Sequence, residues 1–167
     1  MDRNKFLNRN LIKAEKRPEE SRVEQIYQVR PEFLNGAGRL FGGRLMEWID
    51  ETAAMVAMRH SQSSVVTASV DNLKFIHGAY LNDLIVLIGH LVYVGNTSME
   101  VKVDTYVESL DGIRRQINRA YLMLVAVHEG KSVKVPRLII ETETEKAEWE
   151  AALKRKEMRI QRSEEGF

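Results

Sequence analysis

The chain has 167 residues, with 25 Lys and Arg against 24 Asp and Glu, 44% hydrophobic residues and no cysteine. That length suits one domain with a real core, and the balanced charge provides no basic field to recruit nucleic acid. The absence of thiols excludes disulfides, Cys nucleophiles and thiolate metal sites. Residues 1–20, MDRNKFLNRNLIKAEKRPEE, carry four acids and no continuous apolar run. They read as a frayed arm or short surface helix, neither a secretory signal nor a transit peptide. No stretch approaches 18 apolar residues, so no membrane span is expected and the expected compartment is the cytoplasm.

SRVEQIYQV, with Val23, Tyr27 and Val29, predicts a first strand. Pro31 and the run Asn35-Gly36-Ala37-Gly38 break regular structure, and Gly42 to His60 then reads as a helix without internal proline. After the loop SQSS the chain changes character. VVTASVDNLKFI, DLIVLIGHLVYV, SMEVKVDTYVESL and IRRQINRAYLMLVAVHE are rich in Val, Ile, Thr and Tyr and predict four long strands. In the third, Met99, Val101, Val103 and Thr105 alternate with Glu100, Lys102 and Asp104. Gly95-Asn96 and Asp111-Gly112 are hairpin signals, so the runs they join should be antiparallel. Lys131 to Ile140 continues the sheet or follows its edge. Residues 141–167 form a charged tail of alternating sign, expected to be a solvated helix docked weakly through Trp149 and Leu153. One long helix followed by four antiparallel strands is an α+β layout.

On a helical wheel with Leu45 at zero, Val56, Ile49, Ala53, Met46 and Ala57 span an arc of about 20° to 120°. Asp50 falls near 140°, and Glu47 and Glu51 face outward at about 200° and 240°. Asp50 thus sits at the rim of the buried stripe. That position suits a solvated aspartate, or a carboxylate held where the apolar face meets a crevice. Gly42 and Gly43 open the helix and suit either a tight turn or free N–H groups that stabilise an oxyanion or phosphate. His60 ends the helix and suits a cap on its dipole; His77, His90 and His128 lack metal-ligand spacing and read as structural.

The run from Asn35 to Asp50, NGAGRLFGGRLMEWID, closely resembles the signature of hotdog-fold acyl-CoA thioesterases. VVTASVDNLKFI at 65–76, GNTSMEVKV at 95–103 and VPRL at 135–138 extend the likeness. The resemblance implies a hotdog domain at 21–140, a long helix wrapped by an antiparallel sheet, between an arm at 1–20 and a charged helix or tail at 141–167. It implies hydrolysis of acyl-CoA to coenzyme A and a free acid, with no metal and no cofactor beyond the substrate's own coenzyme A. It further implies a homodimer with sites at the subunit interface, often within a trimer of dimers. Carried over by position, the family's catalytic carboxylate is Asp50, its loop asparagine is Asn35, and its oxyanion donor is Gly43 beside Gly42. Thr67 and Ser69 match positions lining the site from the partner subunit. Gly95, Asn96, Thr97 and Ser98 match a segment near the pantetheine or nucleotide of coenzyme A. Lys74, Arg59, Lys131 and Arg137 are candidate phosphate ligands. Many members carry Pro and Gly where this chain has Gly78 and Asn82, which changes a turn but not the chemistry.

Two rivals remain open at this point. A hotdog hydratase or dehydratase of enoyl or 3-hydroxyacyl thioesters would need a histidine beside its carboxylate, and the helix offers only Asp50. A non-catalytic acyl-CoA sensor would bind the thioester without releasing thiol.

Overall fold

The computed structural model describes residues 13–166. In chain order these form β1 (Glu15–Lys16), β2 (Val23–Gln28), α1 (Gly42–Ser61), β3 (Ser64–Phe75), β4 (Leu84–Val94), β5 (Ser98–Glu108), β6 (Arg114–His128), β7 (Lys131–Ser132), β8 (Arg137–Leu138) and α2 (Glu143–Glu165). Both hairpin signals act as expected, and β4, β5 and β6 form an antiparallel meander. β2 adds to the β4 edge and β3 to the β6 edge, giving the order β2-β4-β5-β6-β3. No turn signal foretells that last pairing, because β3 is joined to β6 only through the intervening meander. β7 extends the end of β6, while β1 and β8 pair in parallel off the main sheet.

The inner face of the sheet wraps α1. Leu45, Ile49, Ala53, Val56 and Ala57 are buried as the wheel predicts, each large one contributing about 1.5–3 kcal/mol of transfer free energy. Met46 departs from the wheel and is 44% exposed. The buried arc turns instead toward β2, because Trp48 stacks on Tyr27 at 4.4 Å and meets Phe33 edge-on at 5.4 Å. Gly89 of β4 lets the helix come close, since a Cβ there would lie 2.9 Å from Val56 Cγ2.

His60 does not cap the dipole as a cation. It is fully buried, its Nε2–H donates to the Pro136 carbonyl at 2.9 Å, and its Nδ1 accepts from Ser21 Oγ at 3.3 Å. Burial holds its pKa below the ordinary histidine value. The cation at the helix end is Lys16, whose ammonium donates to the Arg59 and His60 carbonyls at 2.7 and 3.0 Å. Arg59, a candidate phosphate ligand, is engaged nearby, donating to the Arg22 carbonyl at 2.6 Å. Residues 13–20 of the expected arm are therefore docked rather than frayed, and residues 1–12 lie outside the described residues.

α2 is held far more firmly than a weakly docked tail. Thr142 caps it in a reciprocal box with Glu145. Glu148, Ala152, Arg155, Arg159 and Arg162 recur every three or four residues and so share one face. That face covers the charged alternates of β5. Glu100, with no exposed surface, accepts from Arg155 Nε and Nη2 at 2.8 and 2.6 Å and from Arg159 Nη1 at 2.7 Å. Arg159 and Arg162 also reach Asp71 of β3, at 2.6 and 2.9 Å, and Lys102 pairs with Glu148. Ala152 is buried and Trp149 packs on Tyr93, whereas Leu153, expected as an anchor, stays exposed.

Candidate active site

Asn35 shapes the loop before α1. Its Oδ1 accepts from the Ala37 and Arg39 N–H groups at 2.9 and 3.2 Å, and its backbone N–H donates to the Arg39 carbonyl at 2.8 Å. Gly38 closes this turn at φ +70°, where a side chain would be strained. The side-chain oxygen is thus occupied, which leaves the NH₂ group as the part of Asn35 with no hydrogen-bond partner among the described residues.

Phe41 precedes α1 without a side-chain cap, and no acceptor for the Gly42 and Gly43 N–H groups is found among the described residues. Two free donors therefore stand at the positive end of the helix dipole. Aromatic rings flank them: a Cβ on Gly43 would meet the Phe41 ring at 2.5 Å, and one on Gly42 would meet Phe75 at 3.4 Å. Neither phenylalanine was singled out by the sequence, although Phe41 stands directly before the glycine pair. A cavity of about 330 Å³ opens here, lined by Asn35, Gly42, Leu45, Phe75, His77 and Gly78 among others. Neither Asp50 nor Gly43 lines it.

Asp50 is half-buried on α1, and Thr67 Oγ1 donates to its Oδ1 at 2.7 Å. The contact forms within one chain, so Thr67 travels with Asp50 to whichever site that carboxylate serves. Length explains it. Asp50 stands about 18 Å before Gln62, at about 1.5 Å of rise per helical residue. β3 then returns at about 3.3 Å per residue, which draws Thr67 level with Asp50. Ser69, beyond a bulge after Thr67, makes no side-chain hydrogen bond among the described residues. Along the same helix Gly43 and Asp50 lie about 10 Å apart on nearly one face, too far for one thioester carbonyl to meet both.

The turn from Gly95 to Ser98 is closed by a 2.8 Å bond from the Gly95 N–H to the Ser98 carbonyl, and the Asn96 and Thr97 carbonyls accept from Val135 and Ala126. Gly95, Asn96 and Arg137 gather round a second cavity, of about 520 Å³. Lys74 lies apart, in a recess with Gln116 and Arg119, and Lys131 is exposed on β7. Asn82 takes φ +69°, filling as asparagine the left-handed position where many family members carry glycine. Among the described residues, no group of three His, Asp or Glu side chains gathers as a metal-ligand set, and no helix is long and apolar enough to cross a membrane.

Comparison with known proteins gives a consistent result. The model of the thioesterase superfamily matches residues 37–111. A Bacillus subtilis protein named uncharacterized acyl-CoA thioester hydrolase YkhA is 39% identical over 128 residues, 75% of this chain and 74% of that protein. Among solved structures, an apo-hexameric acyl-CoA thioesterase is similar with a TM-score of 0.85 at 40% identity, covering 89% of this chain and 97% of that one. An acyl-CoA hydrolase from Staphylococcus aureus, solved with butyryl coenzyme A, coenzyme A and coenzyme A disulfide, is similar with a TM-score of 0.85 at 34% identity. That likeness covers 90% of this chain and 93% of the S. aureus chain.

Proposed function

The chain belongs to the thioesterase superfamily, and from that premise we propose that it hydrolyses acyl-CoA thioesters to coenzyme A and a free carboxylic acid. The observation that carries this reading is the half-buried Asp50 carboxylate, oriented by Thr67 at 2.7 Å. Such a carboxylate takes a proton from water as the water oxygen bonds to the thioester carbon. Alternatively it bonds to that carbon itself, giving an anhydride that water then opens. In both routes the carbonyl oxygen becomes an oxyanion, the C–S bond breaks, and the thiolate leaves and is protonated as coenzyme A. The Gly43 N–H, beside Gly42, stabilises the oxyanion, and the Asn35 NH₂ orients the carbonyl or the water. Coenzyme A enters only as part of the substrate, and the scheme uses no further cofactor.

One chain separates its Gly43 and Asp50 by about 10 Å, so the donor and the carboxylate that act on one thioester come from different protomers. Two observations support this. The outer edge of β3 has no strand partner among the described residues and exposes Val66, Val70 and Phe75. A similar solved thioesterase is hexameric. The assembly we favour is a trimer of dimers, acting in the cytoplasm.

His77 lines the Asn35 cavity, which favours one alternative, hydration of an enoyl thioester. No carboxylate pairs with His77 among the described residues, and crotonyl-CoA assayed for hydration against thiol release separates the two. Asp50→Asn tests the main reading. Thiol release across acyl-CoAs from acetyl to palmitoyl should fall by about 10²–10⁴-fold with Tm unchanged, and wild-type turnover would overturn it.

A further inference from the structure

β3, the strand that supplies Thr67, pairs irregularly. Its register with β6 slips between Thr67 and Ser69 and again between Asp71 and Lys74, and Asn72 takes φ +53°. Among the described residues of β3, Asp71 alone is buried. A strand whose one buried side chain is a carboxylate needs a partner for that charge. α2 supplies two: Arg159 Nη1 donates to Asp71 Oδ2 at 2.6 Å, and Arg162 Nη2 to Oδ1 at 2.9 Å.

The first slip decides which way Thr67 faces. Thr67 pairs with Leu124, whose side chain lies in the core around α1, and reaches Asp50 on that face. Asp71 pairs with Tyr121, which packs in the cluster round Ala152 of α2, on the opposite face. Residues four apart on a regular strand share a face. These two point opposite ways because one extra residue is inserted between them, as a bulge. Were the pairing regular onward from Thr67, residue 71 would stand opposite Ala120, which has no exposed surface. A carboxylate left there without a partner is strongly disfavoured. Asp71 and its arginines therefore fix the bulge directly after Thr67, and a bulge bends its strand and re-aims the side chain beside it. α2 is a firm base for this grip. Arg155 and Arg159 also tie it to Glu100, and Glu148 ties it to Lys102, both on β5.

We propose that Asp71, clamped by Arg159 and Arg162, is a positioning residue that holds the bulge aiming the Thr67 hydroxyl at Asp50. α2 then serves the reaction from the far face of the sheet, touching neither the substrate nor the reacting atoms. The inference deepens the acyl-CoA reading above and rests on it for its kinetic half.

The test is a double-mutant cycle with Thr67→Val. Asp71→Asn keeps the shape and removes the charge, and Arg162→Met removes one donor from a side chain that is already half-exposed. Each should lower kcat for butyryl-CoA by about three- to tenfold, with KM unmoved, and by no more than Thr67→Val does. In the Thr67→Val background the same substitutions should leave kcat nearly unchanged, a coupling that general loosening of the fold would not produce. Equal losses in both backgrounds, or kcat unmoved where Thr67 is intact, overturn the inference. Hydrogen exchange gives a readout free of activity: amides of residues 66–71 should exchange faster in Asp71→Asn than in the wild type, with those of β5 unchanged. Should the wild type release no thiol, the hydrolase reading falls and exchange alone decides. Faster exchange confined to β3 then keeps the tether, and unchanged exchange overturns it.

Discussion

Glu100→Gln is the sharpest test of how the C-terminal helix is held. Three N–H groups of Arg155 and Arg159 converge on a carboxylate with no exposed surface, and the two arginine side chains are themselves only 12% and 15% exposed. Glutamine keeps the shape but sets an NH₂ against a guanidinium, leaving Arg155 without its carboxylate and Arg159 with only the Asp71 carboxylate that Arg162 shares. Arg159 Nη2 already lacks a partner among the described residues, so the cluster has no spare acceptor to absorb the loss. Removing one member of a buried ion pair costs about 3–5 kcal/mol. For a chain of this size that lowers Tm by about 6–20 °C. Circular dichroism at one fixed protein concentration reads the shift, since subunit association makes Tm depend on concentration. Glu141→Gln, which breaks the exposed Arg17–Glu141 pair, serves as the control and should leave Tm in place. A Glu100→Gln shift below about 2 °C would refute the claim that this cluster anchors α2.

Thr67→Val removes the hydroxyl that donates to Asp50 while keeping a β-branched residue in β3. Loss of a hydrogen bond to a charged group should lower kcat about tenfold or more with Tm unchanged, and kcat close to wild type would show that Asp50 needs no orienting partner. Stability should also fall as pH drops from 8 to 5.5. Burial holds the folded pKa of both His60 and His90 below the ordinary value. The unfolded chain therefore binds protons near pH 6.5 that the folded chain does not, and stability present above that pH is lost below it. Urea midpoints at the two pH values read the sign, and an equal or higher midpoint at pH 5.5 would contradict it.

What the sequence made legible was mostly local. Helix α1 was bounded by its glycines and by the SQSS loop, and the β4–β5–β6 meander by two turn signals, because both depend on neighbours in the chain. The pairing of β3 with β6 left no such mark, since it closes across two hairpins. The Lys16 cap on α1 was hidden for the same reason, since Lys16 and His60 stand 44 positions apart in the sequence. The stripe of Arg155, Arg159 and Arg162 was visible in the spacing, yet it looks like any solvated helix face until Glu100 and Asp71 are known to lie beneath it. In the site, Asp50 stood out at the rim of the wheel, but its weight came from resemblance to a family. That the Asn35 oxygen is occupied was not legible, because its two donors, Ala37 and Arg39, belong to a turn whose closure the sequence did not reveal.

A subunit-mixing assay goes to the heart of the mechanism. Asn35→Asp keeps the oxygen that closes the loop but removes the NH₂, and Asp50→Asn removes the proposed catalytic carboxylate. Each variant alone should release almost no thiol from butyryl-CoA. Dissociated and reassembled together, mixed dimers should regain activity, because one of their two sites joins an intact Asn35 loop from one chain to an intact Asp50 from the other. A mixture no more active than its two parents would mean that each chain works alone, contradicting a thioesterase site shared between protomers.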